Sequence, residues 1–340
     1  MNRKDFGRLI AALRKEHFDP VAGKVWSQKV LAQKTNLSSK IIVNLEQGVK
    51  VNLDETTLIQ LADAFSLTPL ERQAFFAAAN AVDDSAIVLP TQKPDAIRRE
   101  LLDLLQQMQL PALLHDAFYD IIGINALATR FHHIDGAALA ASARQVGSAN
   151  ILALIFAPQS PFRSTMPQVW STLAFVTIHQ FRMMSLRYRH TSYFRQLFTT
   201  LCRYPTFQTL WTDTQQQQHA FYSQLKTYTY DHPEFHQVHY TVTQNITLTN
   251  AGQLYLTVLV PNSSWTADCF TRLAQQIART VYALAEWPKA LTPSAADGQP
   301  EAEEALLAQL SAGYGTQTGA DDHTGSVRAG VTSDAAHSSH

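Results

Sequence analysis

The sequence is poor in cysteine: Cys202 and Cys269 are the only two in 340 residues. No Cys-x-x-Cys pair and no Cys/His spacing of a metal site occurs, which excludes a disulfide scaffold and a structural zinc site. Both thiols are expected as small buried apolar groups in a reducing compartment. Long apolar runs are missing too. Segments such as Ile151 to Ala157 are far too short to span a bilayer, so no membrane partner is expected. Met1-Asn2-Arg3-Lys4 is basic, but no apolar stretch of a secretory signal follows it, and the expectation is a soluble, cytoplasmic protein. There is no P-loop, no G-x-G-x-x-G and no G-x-S-x-G, hence no phosphate-cradling loop and no nucleophile elbow. His232, His236 and His239 cluster in sequence, but no carboxylate or cysteine completes a ligand set, so they read as structural or surface positions. No catalytic residue, metal ligand or cofactor is expected, and the chain does not read as an enzyme.

What is present is apolar material for packed cores, 46% of the residues, in a chain long enough for two domains and a tail. Charge is unevenly spread. The formal net charge is only −1, yet residues 1–50 hold ten Lys or Arg against four Asp or Glu, about +6. A field concentrated at one end releases phosphate counterions and steers association with nucleic acid, while near-neutrality of the whole chain conceals it.

Within that basic end, Val25 to Gly48 (VWSQKVLAQKTNLSSKIIVNLEQG) reads as two short helices separated by a tight turn. Ser27 is a good N-cap, Asn36 suits a left-handed stop, and Ser38 restarts a helix that turns Ile41, Ile42 and Leu45 inward. Its other face carries Ser39, Lys40, Val43, Asn44 and Gln47, a short polar surface suited to base edges. Phe6, Leu9, Ile10 and Leu13 make an amphipathic helix before it. Leu53 to Leu67, capped by Asp54 or Thr56, makes one after it, and Thr68-Pro69 opens a fifth. Between Arg14 and Trp26 the segment KEHFDPVAGKV reads as a loop that either touches phosphates or elaborates the packing.

SQKVLAQKTNLSSKIIVNLEQG resembles the helix-turn-helix of the XRE (Cro/C1-type) regulators, in which Ser/Thr-Gln opens the second helix and Ile-x-x-Leu-Glu-x-Gly closes the third. The resemblance spans roughly residues 5 to 80. It implies an all-α, five-helix, lambda-repressor-like domain that binds double-stranded DNA through Ser27, Gln28, Ser38, Ser39, Lys40, Val43, Asn44 and Lys50. Asn44 is then the best reader of adenine and Lys40 of guanine or phosphate. One such helix reads too few base pairs, so a homodimer on an inverted-repeat operator is expected.

The organisation expected is a DNA-binding domain at 1–82, a linker at 83–94 with two prolines, an α+β domain at 95–290 and a disordered tail at 291–340. In the tail, seven acids face one basic residue, Arg328. In the third segment Ala117 to Asn125 is β-rich, Met166 to Arg189 has helical periodicity, and Tyr193–Cys202 and Phe207–Trp211 are short helices. Strands are expected from Phe235 to Val242 and from Leu254 to Val260, joined by an Asn250-Ala251-Gly252 turn, with a helix from Trp265 to Trp287 closing the domain.

Phe118-Tyr-Asp-Ile-Ile-Gly-Ile-Asn125 resembles the W-D-v-x-x-x-N strand of MmyB-like ligand-binding domains, with Tyr119 and Gly123 departing from its Trp-bearing pattern. Asn150 to Phe156, Pro205 to Trp211 and His232-Pro233 with the strands after it resemble that family's later blocks, in order. The resemblance implies a PAS-like fold holding a small apolar or fatty-acid-like ligand. Phe156, Trp170 and Trp211 are expected to line its cavity, with His179, Arg182 and Arg187 as donors to a headgroup unless the arginines face solvent. The expected function is therefore a ligand-controlled transcriptional regulator, in which the 83–105 segment carries the coupling. The alternative is a protein-interaction module or anti-regulator whose helix-turn-helix binds protein rather than DNA.

Overall fold

A computed structural model of the chain describes residues 1–20, 22–49, 53–80, 93–160, 163, 165–167, 169–216, 226–249 and 251–289. The expected linker except for Lys93 and Pro94, the expected tail, Lys50 and Asn250 therefore lie outside the described residues.

The N-terminal helices are α1 (Arg3–Lys15), α2 (Gln28–Thr35), α3 (Ser39–Glu46), α4 (Glu55–Ala64) and α5 (Pro69–Asn80). Each begins where a short polar side chain satisfies a free amide. Asn2 accepts from the Asp5 N–H and Asp54 from the Thr57 N–H, both at 2.8 Å. Asp54, not Thr56, is thus the cap of α4. Phe6, Leu9, Ile10 and Leu13 of α1 pack with Leu31, Ile42, Leu45, Leu61, Phe65 and Phe75 in one core. Gly7 is required where α1 crosses α3, since a Cβ there would lie 2.4 Å from the Leu45 carbonyl oxygen. The segment between α1 and α2 is not a bare loop: β1 (Phe18–Asp19) and β2 (Lys24–Val25) pair antiparallel. His17 stacks on Trp26 with ring centroids 4.4 Å apart, closing the base of this hairpin.

The C-terminal region is a six-stranded antiparallel sheet in the order β5-β6-β7-β3-β4-β8. Its strands are β3 (Ala112–Asp116), β4 (Ile121–Asn125), β5 (Lys226–His232), β6 (His236–Thr249), β7 (Gly252–Pro261) and β8 (Val281–Ala283). Period-two alternation along β7 sends Leu254, Leu256 and Val258 to one face, where they pack with Leu105 of α6 (Pro94–Gln107). Tyr255 faces the other side. There α7 (Ala126–Phe131), α8 (Gly136–Ser142) and α9 (Ile151–Phe156) are followed by α10 (Trp170–Ser185), α11 (Ser192–Leu201) and α12 (Pro205–Gln216). A final helix, α13 (Ser264–Gln276), packs Cys269, Phe270 and Leu273 against Phe131, Tyr230 and Tyr240.

Several strand expectations are corrected. Ala117–Tyr119 is a turn, not strand, because Asp116 bonds the Phe118 and Asp120 amides and Tyr119 takes a φ of +65°, and Asp120 makes only an isolated bridge to Asn150. The strand before it, β3, is not among the expected strands. Phe235 sits in the β5–β6 turn, and β5 itself is not among the expected strands. The closing helix stops at Gln276, and the chain returns as edge strand β8, pairing Val281 with Asn125. The helix expected at Met166 to Arg189 ends at Ser185 and tightens into a 3-10 turn, Leu186–Tyr188.

Candidate DNA-reading face and regulatory core

Asn36, left-handed at φ 54°, ends α2, and the Ser38 hydroxyl restarts the chain by accepting from the Ile41 N–H at 3.3 Å. α3 therefore leaves α2 at a fixed angle, with Ile42 and Leu45 buried and Ile41 half-buried. Ser38, Ser39 and Lys40 are exposed, and Val43 and Asn44 are half-buried on the same outward side. Ser27 is exposed and caps α2 through the Val30 N–H at 3.2 Å. The structure thus brings Ser38, Ser39, Lys40, Val43 and Asn44 together.

Gln28, expected to contact phosphate or a base, is half-buried and bonded within the head. Its amide donates to Glu46 Oε2 at 2.8 Å. Arg14 holds the same carboxylate through Nε to Oε1 at 2.7 Å and Nη2 to Oε2 at 3.0 Å, and also donates to the Trp26 carbonyl. α1, α2 and α3 are locked together by one carboxylate, and Gln28 orients α3 from below. The geometry of the outward face rests on this buried fork.

A second buried cluster lies at the seam between the helical head and the sheet domain. Glu71 of α5 is fully buried between Arg182 of α10 and Arg189, just beyond the 3-10 turn. Arg182 Nε stands 3.0 Å from Glu71 Oε1, and its Nη2 donates to Oε2 at 3.3 Å. Arg189 Nη2 donates to Glu71 Oε1, and Nη1 to Glu16 Oε2 at 2.9 Å. Two carboxylates from the head thus meet two guanidiniums from the sheet domain, a neutral set. Burial by itself would raise the Glu71 carboxyl, but the two guanidiniums and the Thr68 amide override it and hold the group at about 2. Next to them Leu186, fully buried, enters the apolar core of the head.

Arg182 is therefore not solvent-facing, and its guanidinium is engaged by Glu71 and Trp211. Nη1 donates to the Trp211 carbonyl at 2.9 Å, and the guanidinium lies over the Trp211 ring at 4.3 Å. Arg189 lies 5.2 Å from the same ring. Trp211 in turn contacts Phe181, Phe198 and Phe207, with centroids 4.9–5.9 Å away. Phe156 packs edge-on to Phe207 and to Trp170, whose indole donates to the Ile155 carbonyl at 3.0 Å. His179 is buried against Phe175, and burial pushes its imidazole down to about 4. Arg187 is exposed beside Tyr188. Phe156, Trp170 and Trp211 thus share one aromatic core, Arg182 borders it, and Arg187 does not join it.

The β3–β4 turn holds a different carboxylate pair. Asp120 receives Lys289 at 3.0 Å, the Tyr193 hydroxyl, and the Asn150 amide at 2.9 Å. Asp116 accepts two backbone amides on Oδ1, while its buried Oδ2 has no hydrogen-bond partner. Burial, then the adjacent Asp120, pushes the Asp116 carboxyl up to about 8. Asn125, five residues on, takes the Ala112 and Ala128 amides on one oxygen and donates to the Leu110 carbonyl at 2.8 Å, binding β3 to the start of α7. This is the physical content of the Tyr-Asp-x-x-x-x-Asn pattern: a turn carboxylate that holds Lys289 and an amide that caps a helix.

Glu16, Glu71 and Arg189 are not among the expected site residues. Thr68-x-x-Glu71 carries a capping-box pattern, and both of its bonds form, at 2.9 and 3.3 Å. That pattern announces a helix start and says nothing about a second use of the carboxylate across a domain seam.

The family model described as MmyB-like transcription regulator ligand binding domain matches residues 97–273, just over half of the chain. No curated protein gives a significant match. No described helix is long and apolar enough to cross a membrane.

Proposed function

The chain belongs to the family of MmyB-like transcription regulator ligand-binding domains, and from that premise we propose that it is a sequence-specific DNA-binding regulator whose helical head reads an operator under control of a small apolar ligand. The observation that carries this reading is the outward face of α3. It is an exposed Ser38-Ser39-Lys40 start with Asn44 one turn on, set on a helix whose angle is fixed by the Asn36 turn and the Arg14–Glu46–Gln28 fork. Such a helix fits the major groove, Asn44 pairing with adenine and Lys40 with guanine or phosphate. The concentration of positive charge in residues 1–50 supports it. The PAS-like reading of the sheet is supported by its order, in which the first long strand, β3, lies beside the last, β7, with the helices inserted between the two hairpins. Fatty-acid-like ligands suit the aromatic core around Phe156, Trp170 and Trp211. Catalysis forms no part of this reading, and a homodimer on an inverted repeat completes it.

The test is a binding assay on an operator selected from random duplexes. Lys40→Ala with Asn44→Ala should abolish the specific shift while circular dichroism stays unchanged. The wild-type affinity should fall steeply with salt, as phosphate neutralisation requires. A salt-independent interaction, or an unaltered shift in the double variant, would instead favour a head that binds protein.

A further inference from the structure

We infer that the Glu16–Glu71–Arg182–Arg189 cluster, closed by Trp211, is the joint through which the state of the aromatic core reaches the DNA-reading head. This rests on the functional reading above for its purpose, and on geometry alone for its mechanics. Trp211 belongs to both systems. Its ring is packed among Phe181, Phe198 and Phe207, and it is also the surface on which Arg182 and Arg189 lie, while its carbonyl accepts a hydrogen bond from Arg182 Nη1. An apolar occupant that spreads those rings displaces Trp211. Arg182 then loses its aromatic face and its acceptor, and the Glu71 carboxylate loses the fork that holds it.

The joint is suited to two states rather than gradual yielding. Glu71 is wholly buried, Arg182 and Arg189 are nearly so, and the four charges cancel only as a complete set. Partial opening strands a charge in a medium that solvates it poorly, so the set is either closed or open to water. The Glu71 carboxylate also caps α5 through the Thr68 N–H, so opening loosens the start of a head helix whose Phe75 lies in the same core as Leu45 of α3. Leu186, buried in that core from the sheet-domain side, moves with the same segment as Arg182 and Arg189. Linkage requires the reverse path as well: DNA that fixes the head tightens the aromatic core.

The experiment is hydrogen exchange with mass spectrometry on the full chain, which needs neither operator nor ligand. Trp211→Leu, a change inside the sheet domain, should speed exchange in the head helix Pro69–Asn80 by about tenfold or more. Arg182→Lys keeps the charge but cannot hold Glu71 and the Trp211 carbonyl in one planar fork, and should do the same, which decides the matter if Trp211→Leu does not fold. Arg203→Lys, at an exposed position, serves as the control and should leave the head unchanged. Head exchange at the wild-type rate in folded Arg182→Lys, with exchange raised only in the sheet domain, would overturn the joint. Operator binding is scored separately: its absence from every protein would sink the regulator reading and leave the exchange result standing.

Discussion

The seam and the β3–β4 turn each bury a carboxylate completely, and the two are held in opposite protonation states. Glu71 lies between two guanidiniums and stays ionised, its carboxyl held at about 2. Asp116 has a second carboxylate beside it and one oxygen without a partner, and it is pushed up to about 8. Depth of burial is the same in both. What differs is the sign of the nearest charges, and that decides whether desolvation is overcome or reinforced. The lesson is that the seam depends on every member being present, whereas the turn tolerates loss of a charge it scarcely carries at neutral pH.

The comparison is broken most sharply at the seam. Glu71→Ala leaves two guanidiniums buried without their shared acceptor and should cost about 3–5 kcal/mol in denaturant unfolding. A loss within about 0.5 kcal/mol, the scale of ordinary surface substitutions, would mean the cluster contributes nothing net. The turn answers through pH. Because the native Asp116 carboxyl lies above its ordinary value, the folded state binds the extra proton. Its contribution is full below pH 3.8 and is lost as pH rises through about 8. Asp116→Asn imitates the protonated form and should flatten the fall in urea midpoint between pH 6 and pH 9. Equal slopes in variant and wild type would exclude the assignment. Glu71 runs the other way, its contribution present above pH 4.5 and lost as pH falls through about 2. The smallest effect belongs to local structure. Ser38→Ala removes only the cap of α3 and should cost about 1 kcal/mol, read as a shift in melting temperature with the fold retained.

The difference between the regions also explains what could be read in advance. The head's elements are made by neighbours in sequence. Ser27, Asn36, Ser38 and Asp54 do what their chemistry suggests at those positions, and helical spacing in α1 marks its buried face. In the sheet domain the alternation in β7 was legible, but β3 and β5 were not. β3 is buried along most of its length, so it has no polar alternation to betray it, and β5 runs through three of its positions as Tyr-Thr-Tyr beside a His-Pro turn. At the site, the outward face of α3 follows from helical spacing, whereas the bonds from Gln28, expected at DNA, to Glu46 and from Arg182, expected at a headgroup or in solvent, to Glu71 do not.

From the sequence alone came a basic end with a capped two-helix motif, an aromatic-rich domain behind it, and the Asp120–Asn125 pattern that marks that domain. The first two depend on periodicity, capping and charge density, all of them local properties, and the third on a resemblance to MmyB-like domains. The partner of each buried charge was decided only by tertiary structure. Glu71 and Arg182 are 111 positions apart, and no local rule relates them. They meet because α5 and α10 pack at one seam, and a charge removed from water must find its opposite wherever the fold brings one.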